Sequence, residues 1–147
     1  MTTNTSDIRE HEVSLELPDA DDAQLRFIGR IHTPWSMRTD CPRQGKLDGP
    51  ICKVELFEPW GPALKGLDKY EHLELLYWLN QARRDLLVQN PGHDGKTFGT
   101  FALRSPVRPN PIGTSMVRLE SIDGQVLSVR GLDCLDGTPL IDIKPKR

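Results

Sequence analysis

Short runs in which apolar and polar residues alternate are the dominant pattern of this chain. Between Ile51 and Phe57, residues Cys52, Val54 and Leu56 fall on one face and charged residues fall mainly on the other, which predicts a strand with one wet face. Similar runs separated by turn residues predict further strands at residues 25–31, 72–80, 97–103, 114–122, 126–132 and 139–143. Short strands at intervals of about 8–12 residues are typical of an all-β barrel or sandwich.

Two segments do not follow this simple pattern. Residues 67–90 lack Gly and Pro, and their leucines combine a helical spacing with an apolar run typical of a buried strand. We expect a strand over 72–80 and then an irregular or helical stretch to Pro91. Residues 33–50 contain three prolines and two glycines and predict a long loop, which in a compact domain is usually functional or disordered.

The composition narrows the class of protein. A length of 147 residues fits one domain, and 37% hydrophobic with 27% charged residues is typical of a soluble globular protein. No run approaches the ~18 apolar residues of a membrane helix, which excludes an integral membrane protein, and the N-terminus lacks the blocks of a secretory signal. Three cysteines (Cys41, Cys52 and Cys134) without a C-x-x-C pair argue against a disulfide framework and favour a reducing cytoplasm.

Motifs of several common enzyme classes are missing from the sequence. It contains no G-x-G of a dinucleotide-binding fingerprint, no phosphate-binding loop of a nucleoside triphosphatase and no G-x-S-x-G of a hydrolase. The histidines His11, His32, His72 and His93 are scattered and form no pair at helical spacing. We therefore predict no metal site.

Charge is distributed unevenly along the chain. Residues 1–24 hold seven acids and one base, so we interpret them as an acidic N-terminal arm or, because Val13, Leu15 and Leu17 alternate, as an edge strand. The remaining residues carry an excess of bases, and no acid occurs between Gly95 and Leu119. A local positive surface attracts a polyanion, although the same charges also suit the solvated rim of an ordinary enzyme.

The first stretch with candidate chemistry runs from Arg104 to Thr114. Three prolines within six residues restrict the backbone, and Arg108 and Asn110 each precede a proline. The side chains of this loop are therefore held in place before any ligand arrives. The alternative is a rigid connection in which Asn110 bonds its own turn.

A second candidate stretch runs from Arg130 to Lys144. Asp133 follows a predicted strand, where a carboxylate can accept hydrogen bonds from ribose hydroxyls or an amine. Asp136 is followed by Gly and Thr, which favours turn chemistry. A third stretch, Cys41–Lys46, is by its pattern an exposed polar loop.

Together these stretches resemble the TsaA-like, or TrmO-type, family of β-barrel methyltransferases. R-P-N-P-I-G paired with D-G-T-P-x-x-D-I-K-P at this separation is a specific signal, whereas P-R-Q alone is weak. The resemblance covers residues 25–145. The matching residues are Ile28-Gly29, Pro42-Arg43-Gln44, Gly66-Leu67, His72-Leu73, Arg104-Ser105, Arg108–Gly113 and Asp136–Pro145.

The resemblance implies a single small closed β-barrel over residues 25–147, with about six to seven strands, long loops and at most short helices. It further implies binding of S-adenosyl-L-methionine, a homodimer, and N6-methylation of threonylcarbamoyladenosine at position 37 of transfer RNA. By positional match the cofactor contacts are Pro42, Arg43, Gln44, Asn80, Gln81, Arg104, Thr114, Arg130, Gly131, Leu132 and Asp133.

Methyl transfer to an exocyclic adenine nitrogen requires alignment of the acceptor, and an oxygen that accepts the nitrogen's proton assists it. We therefore assign Asp133 or Asp136 to that role or to holding the ribose, and Asn110 to orienting the acceptor base. Arg104 is expected to bind the cofactor carboxylate or lie against its purine. The residues expected to meet RNA phosphates are Arg108, Arg118, Lys144 and Lys146.

Two features depart from the family pattern. Asn80 stands where the typical member has a histidine, and the sequence ends at Arg147 where TrmO-type proteins often continue into a C-terminal domain. The methyl donor is therefore better supported than the acceptor. The alternatives are a cofactor-binding barrel that methylates another acceptor, a cofactor-binding sensor, and a non-catalytic RNA-binding module.

Overall fold

A computed structural model describes residues 8–147 of the chain. The strands are β1 (Val13–Ser14), β2 (Gly29–His32), β3 (Ile51–Leu56), β4 (His72–Trp78), β5 (Leu86–Gln89), β6 (Phe98–Gly99), β7 (Ile112–Asp123), β8 (Val126–Arg130) and β9 (Thr138–Pro145). Short 3₁₀ turns lie at Arg38–Asp40, Gly61–Leu64, Leu67–Lys69 and Thr100–Ala102. Within the described residues no helix has the length and apolar character needed to cross a membrane.

The chain divides into two compact units. One contains Leu25–Trp78 and Gly113–Arg147, and the other contains the described residues up to Gln24 together with Leu79–Ile112. We call them the barrel unit and the small-sheet unit.

The barrel unit is a closed barrel with the strand order β2-β3-β8-β7-β4-β9. Its strands alternate between buried and exposed positions, as in β3, where every second residue is buried, because successive side chains of a strand point to opposite faces. The inward side chains form the core, and Ile31, Val54, Leu75, Val117, Leu127 and Leu140 are fully buried. The predicted all-β fold with a closed barrel is confirmed.

The small-sheet unit is a three-stranded sheet in the order β1-β5-β6. The Glu12 carboxylate accepts a hydrogen bond from the Asn90 backbone amide (2.8 Å), and Arg9 Nη1 donates to the Asn90 carbonyl (2.9 Å). The described part of the acidic N-terminal segment is thus bound to the loop after β5, and Val13 lies on an edge strand.

Two of the predicted elements were wrong. The strand expected over 97–103 is limited to Phe98–Gly99, because the Thr100 hydroxyl turns inward to donate to the Leu86 carbonyl (2.6 Å) and a 3₁₀ turn follows. The stretch expected to be irregular or helical before Pro91 contains β5, which is paired on both sides. Strand pairing therefore overrides the helical spacing of the leucines.

Candidate cofactor site

The loop before β3 and the turn after β8 meet through their backbones in the barrel unit. A Cβ atom at Gly45 would overlap the Gly131 carbonyl oxygen, so this contact requires glycine. The Gly45 amide also donates to Asp133 Oδ2 (3.2 Å). Gly131 itself has a φ of +118°, a conformation that glycine adopts without strain. The predicted contact segment Pro42–Gln44 is therefore held next to the predicted segment Arg130–Asp133.

Asp133 receives a second hydrogen bond, from the barrel interior. The Tyr77 hydroxyl donates to Asp133 Oδ1 (3.1 Å), and its oxygen lies 2.7 Å from Ser115 Oγ. Tyr77 and Ser115 are buried at 3% and 8% exposure. Burial, followed by the charge of Asp133, raises the pKa of Tyr77, so its hydroxyl stays protonated and acts as a donor.

The glycine of the R-P-N-P-I-G motif has a packing role at the same place. A Cβ atom at Gly113 would overlap the Tyr77 ring. Gly113 therefore allows the ring to lie close to β7, where the Tyr77 hydroxyl reaches Ser115.

Thr114 and Ser115 are neighbours in β7 and point to opposite faces. Thr114 is exposed, and its hydroxyl donates to Glu74 Oε2 on the outside of the barrel (3.0 Å). The hydroxyl that joins the Asp133 network is that of Ser115, which was absent from the predicted contacts.

Arg130 and Leu132 contribute to the framework of the turn. Arg130 donates through Nη1 to the Gly49 carbonyl (2.6 Å) and through Nε to Glu120 Oε1 (3.1 Å). Leu132 is 2% exposed. Of the segment from Arg130 to Asp133, the Asp133 carboxylate is therefore the side-chain group best placed to meet a ligand.

Asp136 takes part in a different set of contacts. Its Oδ1 accepts a hydrogen bond from the Thr33 amide (3.0 Å) and lies 3.7 Å from His32 Nδ1. His32 Nε2 in turn lies 2.9 Å from Glu55 Oε1. Asp136 is thus bound into the turn before β9, as its Gly and Thr neighbours indicate.

The predicted residues of the small-sheet unit differ in how they are bonded. Asn80 is half-buried just after β4, and Gln81 is exposed. Arg104 is exposed, and its side chain makes no hydrogen bond or ion pair with any part of the chain that the structure describes. Its guanidinium is therefore available to an anion.

Arg108 and Asn110 brace the proline-rich loop. Arg108 Nη1 donates to the carbonyls of Leu103 (2.6 Å) and Ser105 (3.2 Å). Asn110 Oδ1 accepts a 3.4 Å hydrogen bond from Arg84. Both side chains therefore help to hold the loop in the restricted conformation that its prolines predict.

The residues predicted to meet phosphates also fall into two groups. Arg118 donates through Nε to Glu120 Oε1 (2.9 Å), and the same carboxylate accepts from Arg130. Lys144 and Lys146 are exposed near the end of the chain, and neither makes an ion pair with residues 8–147. Of this set, Arg118 is paired with a carboxylate, Arg108 donates to backbone carbonyls, and the two lysines are exposed and unpaired within residues 8–147.

All three cysteines are free thiols. Burial raises the pKa of Cys134 to about 12, and burial also raises the pKa of Cys52. Cys41 is half-buried, and burial together with the nearby charge of Asp133 raises its pKa. Cys41, which directly precedes Pro42, therefore lies in the electrostatic field of the candidate site.

Gly45, Tyr77 and Ser115 complete the surroundings of Asp133 and were absent from the predicted site. Gly45 follows the P-R-Q segment, and this adjacency was the one available signal. Tyr77 and Ser115 occupy inward positions of strands. At such positions the residue type alone does not show whether a side chain only packs in the core or also joins a polar network.

Comparison with known proteins places these features in a family. Residues 30–146 match the family described as the tRNA-methyltransferase O N-terminal domain. A probable S-adenosyl-L-methionine-binding protein, VirR, of Rhizobium radiobacter is 55% identical over 140 residues, which are 95% of this chain and 80% of that protein. The tRNA (adenine(37)-N6)-methyltransferase of Escherichia coli K12 is 35% identical, over 83% of this chain and 57% of that enzyme.

The fold agrees with that of solved relatives. The crystal structure of TrmO from Pseudomonas aeruginosa matches 86% of this chain with a TM-score of 0.71 and 34% identity. The chain spans 57% of the length of that protein. Because the family match covers residues 30–146 and the barrel is shared, this protein belongs to the tRNA-methyltransferase O family, within its N-terminal domain.

Proposed function

We propose that this protein transfers the methyl group of S-adenosyl-L-methionine to N6 of threonylcarbamoyladenosine at position 37 of transfer RNA. Family membership supports the class of S-adenosyl-L-methionine-dependent methyltransferase and its cofactor. The name of the E. coli relative supports adenine 37 of transfer RNA as the acceptor. The threonylcarbamoyl group of the substrate rests on the resemblance of the sequence motifs to the family.

The observation that carries the proposal is the polar arrangement at Asp133, which fits this cofactor. A carboxylate offers about four lone-pair sites, and among residues 8–147 Asp133 uses them for Gly45 and Tyr77. The sites left over suit an ammonium group or a ribose hydroxyl, and the cofactor carries both. Arg43 is exposed next to this segment and, within the described chain, makes no hydrogen bond, which suits the cofactor's carboxylate.

When bound, the cofactor supplies an electrophilic methyl group on a positively charged sulfur. The chain contributes binding and orientation. Asp133 would hold a donor group of the cofactor, the backbone of Pro42–Gln44 and Gly131 would contribute to its binding, and Arg43 would pair with its carboxylate. Because Gly45 and Tyr77 already hold Asp133 in place, little entropy is lost on binding.

The other predicted residues remain proposals with different support. Asn80, Gln81 and Arg104 are proposed as cofactor contacts on the family resemblance, and Arg104 has an available guanidinium. Asn110 is proposed to orient the base. Asp133 or Asp136 is proposed to accept the proton or to hold the ribose, and each already accepts a hydrogen bond from a backbone amide.

The proposal also includes two partners and a location. The partners are transfer RNA and a second copy of the chain, and the location is the cytoplasm. Lys144, Lys146 and Arg108 are proposed phosphate contacts, and Arg118 is proposed to contribute less because Glu120 pairs with it. A homodimer is supported by large apolar side chains at the surface, such as Phe101 at 82% exposure. Free cysteines suit a reducing compartment.

A second candidate is a cofactor-binding protein that methylates a different acceptor. It is favoured by the relatives named only as probable S-adenosyl-L-methionine-binding proteins. This chain covers 57% of the named transfer RNA methyltransferase, so that enzyme's acceptor does not decide between the two candidates.

One experiment distinguishes these functions. The purified protein is incubated with isotopically methyl-labelled S-adenosyl-L-methionine and transfer RNA from a strain that lacks the native enzyme, and the nucleosides are analysed by mass spectrometry. We expect label in threonylcarbamoyladenosine. Cofactor binding by calorimetry without labelled nucleoside favours the second candidate, and the absence of both contradicts the cofactor proposal.

A further inference from the structure

We propose that Tyr77 and Ser115 are positioning residues that orient the Asp133 carboxylate toward a hydrogen-bond donor of the cofactor. This inference rests on the proposed cofactor contact of Asp133. Neither residue belongs to the predicted cofactor contacts. Both lie on inward faces of the barrel, on β4 and β7; the Tyr77 hydroxyl reaches Asp133 in the turn after β8, and Ser115 contacts the Tyr77 hydroxyl.

The direction of the hydrogen bonds follows from the number of protons. A tyrosine hydroxyl has one proton, and a carboxylate can only accept. Because the Tyr77 hydroxyl donates to Asp133 Oδ1, Ser115 has to donate to the Tyr77 oxygen across the 2.7 Å contact. The hydrogen bonds therefore run from Ser115 to Tyr77 and from Tyr77 to Asp133, and each donor orients the group that accepts from it.

The two oxygens of Asp133 are held from different sides. Tyr77 holds Oδ1 from the core and the Gly45 amide holds Oδ2 from the loop. These contacts fix the plane of the carboxylate, so its remaining lone pairs keep one orientation. A positioned acceptor binds a ligand donor without first losing rotamer freedom.

The packing around Tyr77 makes a clean substitution available. The ring is needed to fill the core against Gly113, and Tyr77→Phe keeps the ring while it removes the hydroxyl. Tyr70→Phe is the matched control, since Tyr70 is the chain's other tyrosine and its hydroxyl makes no hydrogen bond among the described residues. Ser115→Ala is the second test variant and removes the hydroxyl that donates to the Tyr77 oxygen.

The test measures the Kd of S-adenosyl-L-methionine by calorimetry for these variants, for Asp133→Asn and Asp133→Ala, and for the double variant Tyr77→Phe/Asp133→Ala. One hydrogen bond to a charged group corresponds to roughly tenfold in affinity. We expect Tyr77→Phe to weaken binding by about three- to tenfold and Ser115→Ala to weaken it less. Tyr70→Phe should leave the Kd unchanged, and thermal unfolding checks that every variant is folded.

The double variant separates positioning from a general packing effect. If Tyr77 acts through Asp133, Tyr77→Phe changes the Kd in the native chain and adds nothing in the Asp133→Ala background, where the acceptor of the Tyr77 hydroxyl is absent. An equal weakening in both backgrounds overturns the proposal. An unchanged Kd in Tyr77→Phe, with Asp133→Asn weakened, also overturns it and leaves the cofactor site intact.

One further ligand identifies which group of the cofactor donates to Asp133. Methylthioadenosine has the ribose of the cofactor and lacks its amino-acid part. Weakening of S-adenosyl-L-methionine alone by Tyr77→Phe supports a positioned contact to the ammonium group, and weakening of both ligands supports a contact to the ribose. An unchanged Kd in Asp133→Asn contradicts the cofactor contact itself, and the positioning role with it.

Discussion

Gly45 and Gly131 touch through their backbones so closely that the carbonyl of Gly131 occupies the place of a Cβ atom at position 45. This contact brings the loop before β3 to the turn after β8 and places the Gly45 amide 3.2 Å from Asp133 Oδ2. It is the structural basis of the candidate site in the barrel unit.

Replacing Gly45 by alanine tests this relationship. The added methyl group pushes the loop away from Gly131 and breaks the hydrogen bond to Asp133. Overpacking of this kind costs about 1–3 kcal/mol, so we expect a lower Tm and weaker binding of S-adenosyl-L-methionine by calorimetry. Gly99→Ala is the control, because Gly99 has a φ of −61° and no atom within 4 Å of the added Cβ. Native cofactor affinity in Gly45→Ala would place the site elsewhere.

Arg104 is expected to act in binding without supporting the fold. Its exposed side chain makes no bond within residues 8–147, so Arg104→Ala should leave the Tm unchanged. Loss of a charge-assisted contact should weaken cofactor binding by at least about tenfold in calorimetry. An unchanged Kd removes Arg104 from the cofactor site.

Arg108 is expected to behave in the opposite way. Arg108→Ala deprives the carbonyls of Leu103 and Ser105 of their donor and should cost roughly 1 kcal/mol or more of stability. The measurement is urea unfolding, with Arg104→Ala as the comparison on the same loop. Equal stability of the two variants would mean that the bonds of Arg108 do not support the loop.

The cysteines provide a chemical probe of the site. Alkylation requires the thiolate, and a pKa of about 12 leaves Cys134 almost entirely protonated at pH 8. We expect Cys41 to react first, since it is only half-buried, and more slowly than a free thiol because its pKa is raised. Mass spectrometry after iodoacetamide treatment identifies the modified residue.

Bound S-adenosyl-L-methionine should slow the alkylation of Cys41 by covering it, because Cys41 directly precedes Pro42 in the proposed contact segment. Adenosine triphosphate at the same concentration is the control ligand. Equal rates with and without saturating cofactor would argue against a cofactor contact at Pro42–Gln44.

Different cations should contribute unequally to RNA binding. Lys144→Ala and Lys146→Ala should weaken transfer RNA binding uniformly and flatten its salt dependence, each by up to about one unit of slope. Arg118→Ala should have a smaller effect, because Glu120 already neutralises this guanidinium. The measurement is a titration at several salt concentrations.

Glu120→Gln completes that comparison. Removal of the carboxylate that Arg118 and Arg130 share should raise RNA affinity if the outer face of β7 meets phosphates. Unchanged affinity in Glu120→Gln and in Arg118→Ala would remove this face from the RNA interface.

Most of the barrel could be predicted from the sequence, because its strands carry their own signal. A side-chain period of two, as in β3, identifies both the strand and its buried face without knowledge of the neighbours. The strand β5 could not be predicted in this way, since its leucines also fit a helix and pairing with β1 and β6 decides between the two.

The candidate site divides in the same manner. The stiffness of the Arg104–Thr114 loop and the turn chemistry of Asp136 are local properties, and the residue types alone indicate them. The network of Gly45, Tyr77 and Ser115 around Asp133 joins four separate segments of the chain, so no local pattern contains it.

The amino-acid pattern by itself therefore determined the alternating strands, the long loop before β3 and the family to which the motifs belong, since each depends on residues adjacent in the chain. Barrel closure determined which polar side chains meet. Ser115 faces the core and Thr114 faces solvent, because consecutive residues of a strand point to opposite faces and the paired register decides which face is inside.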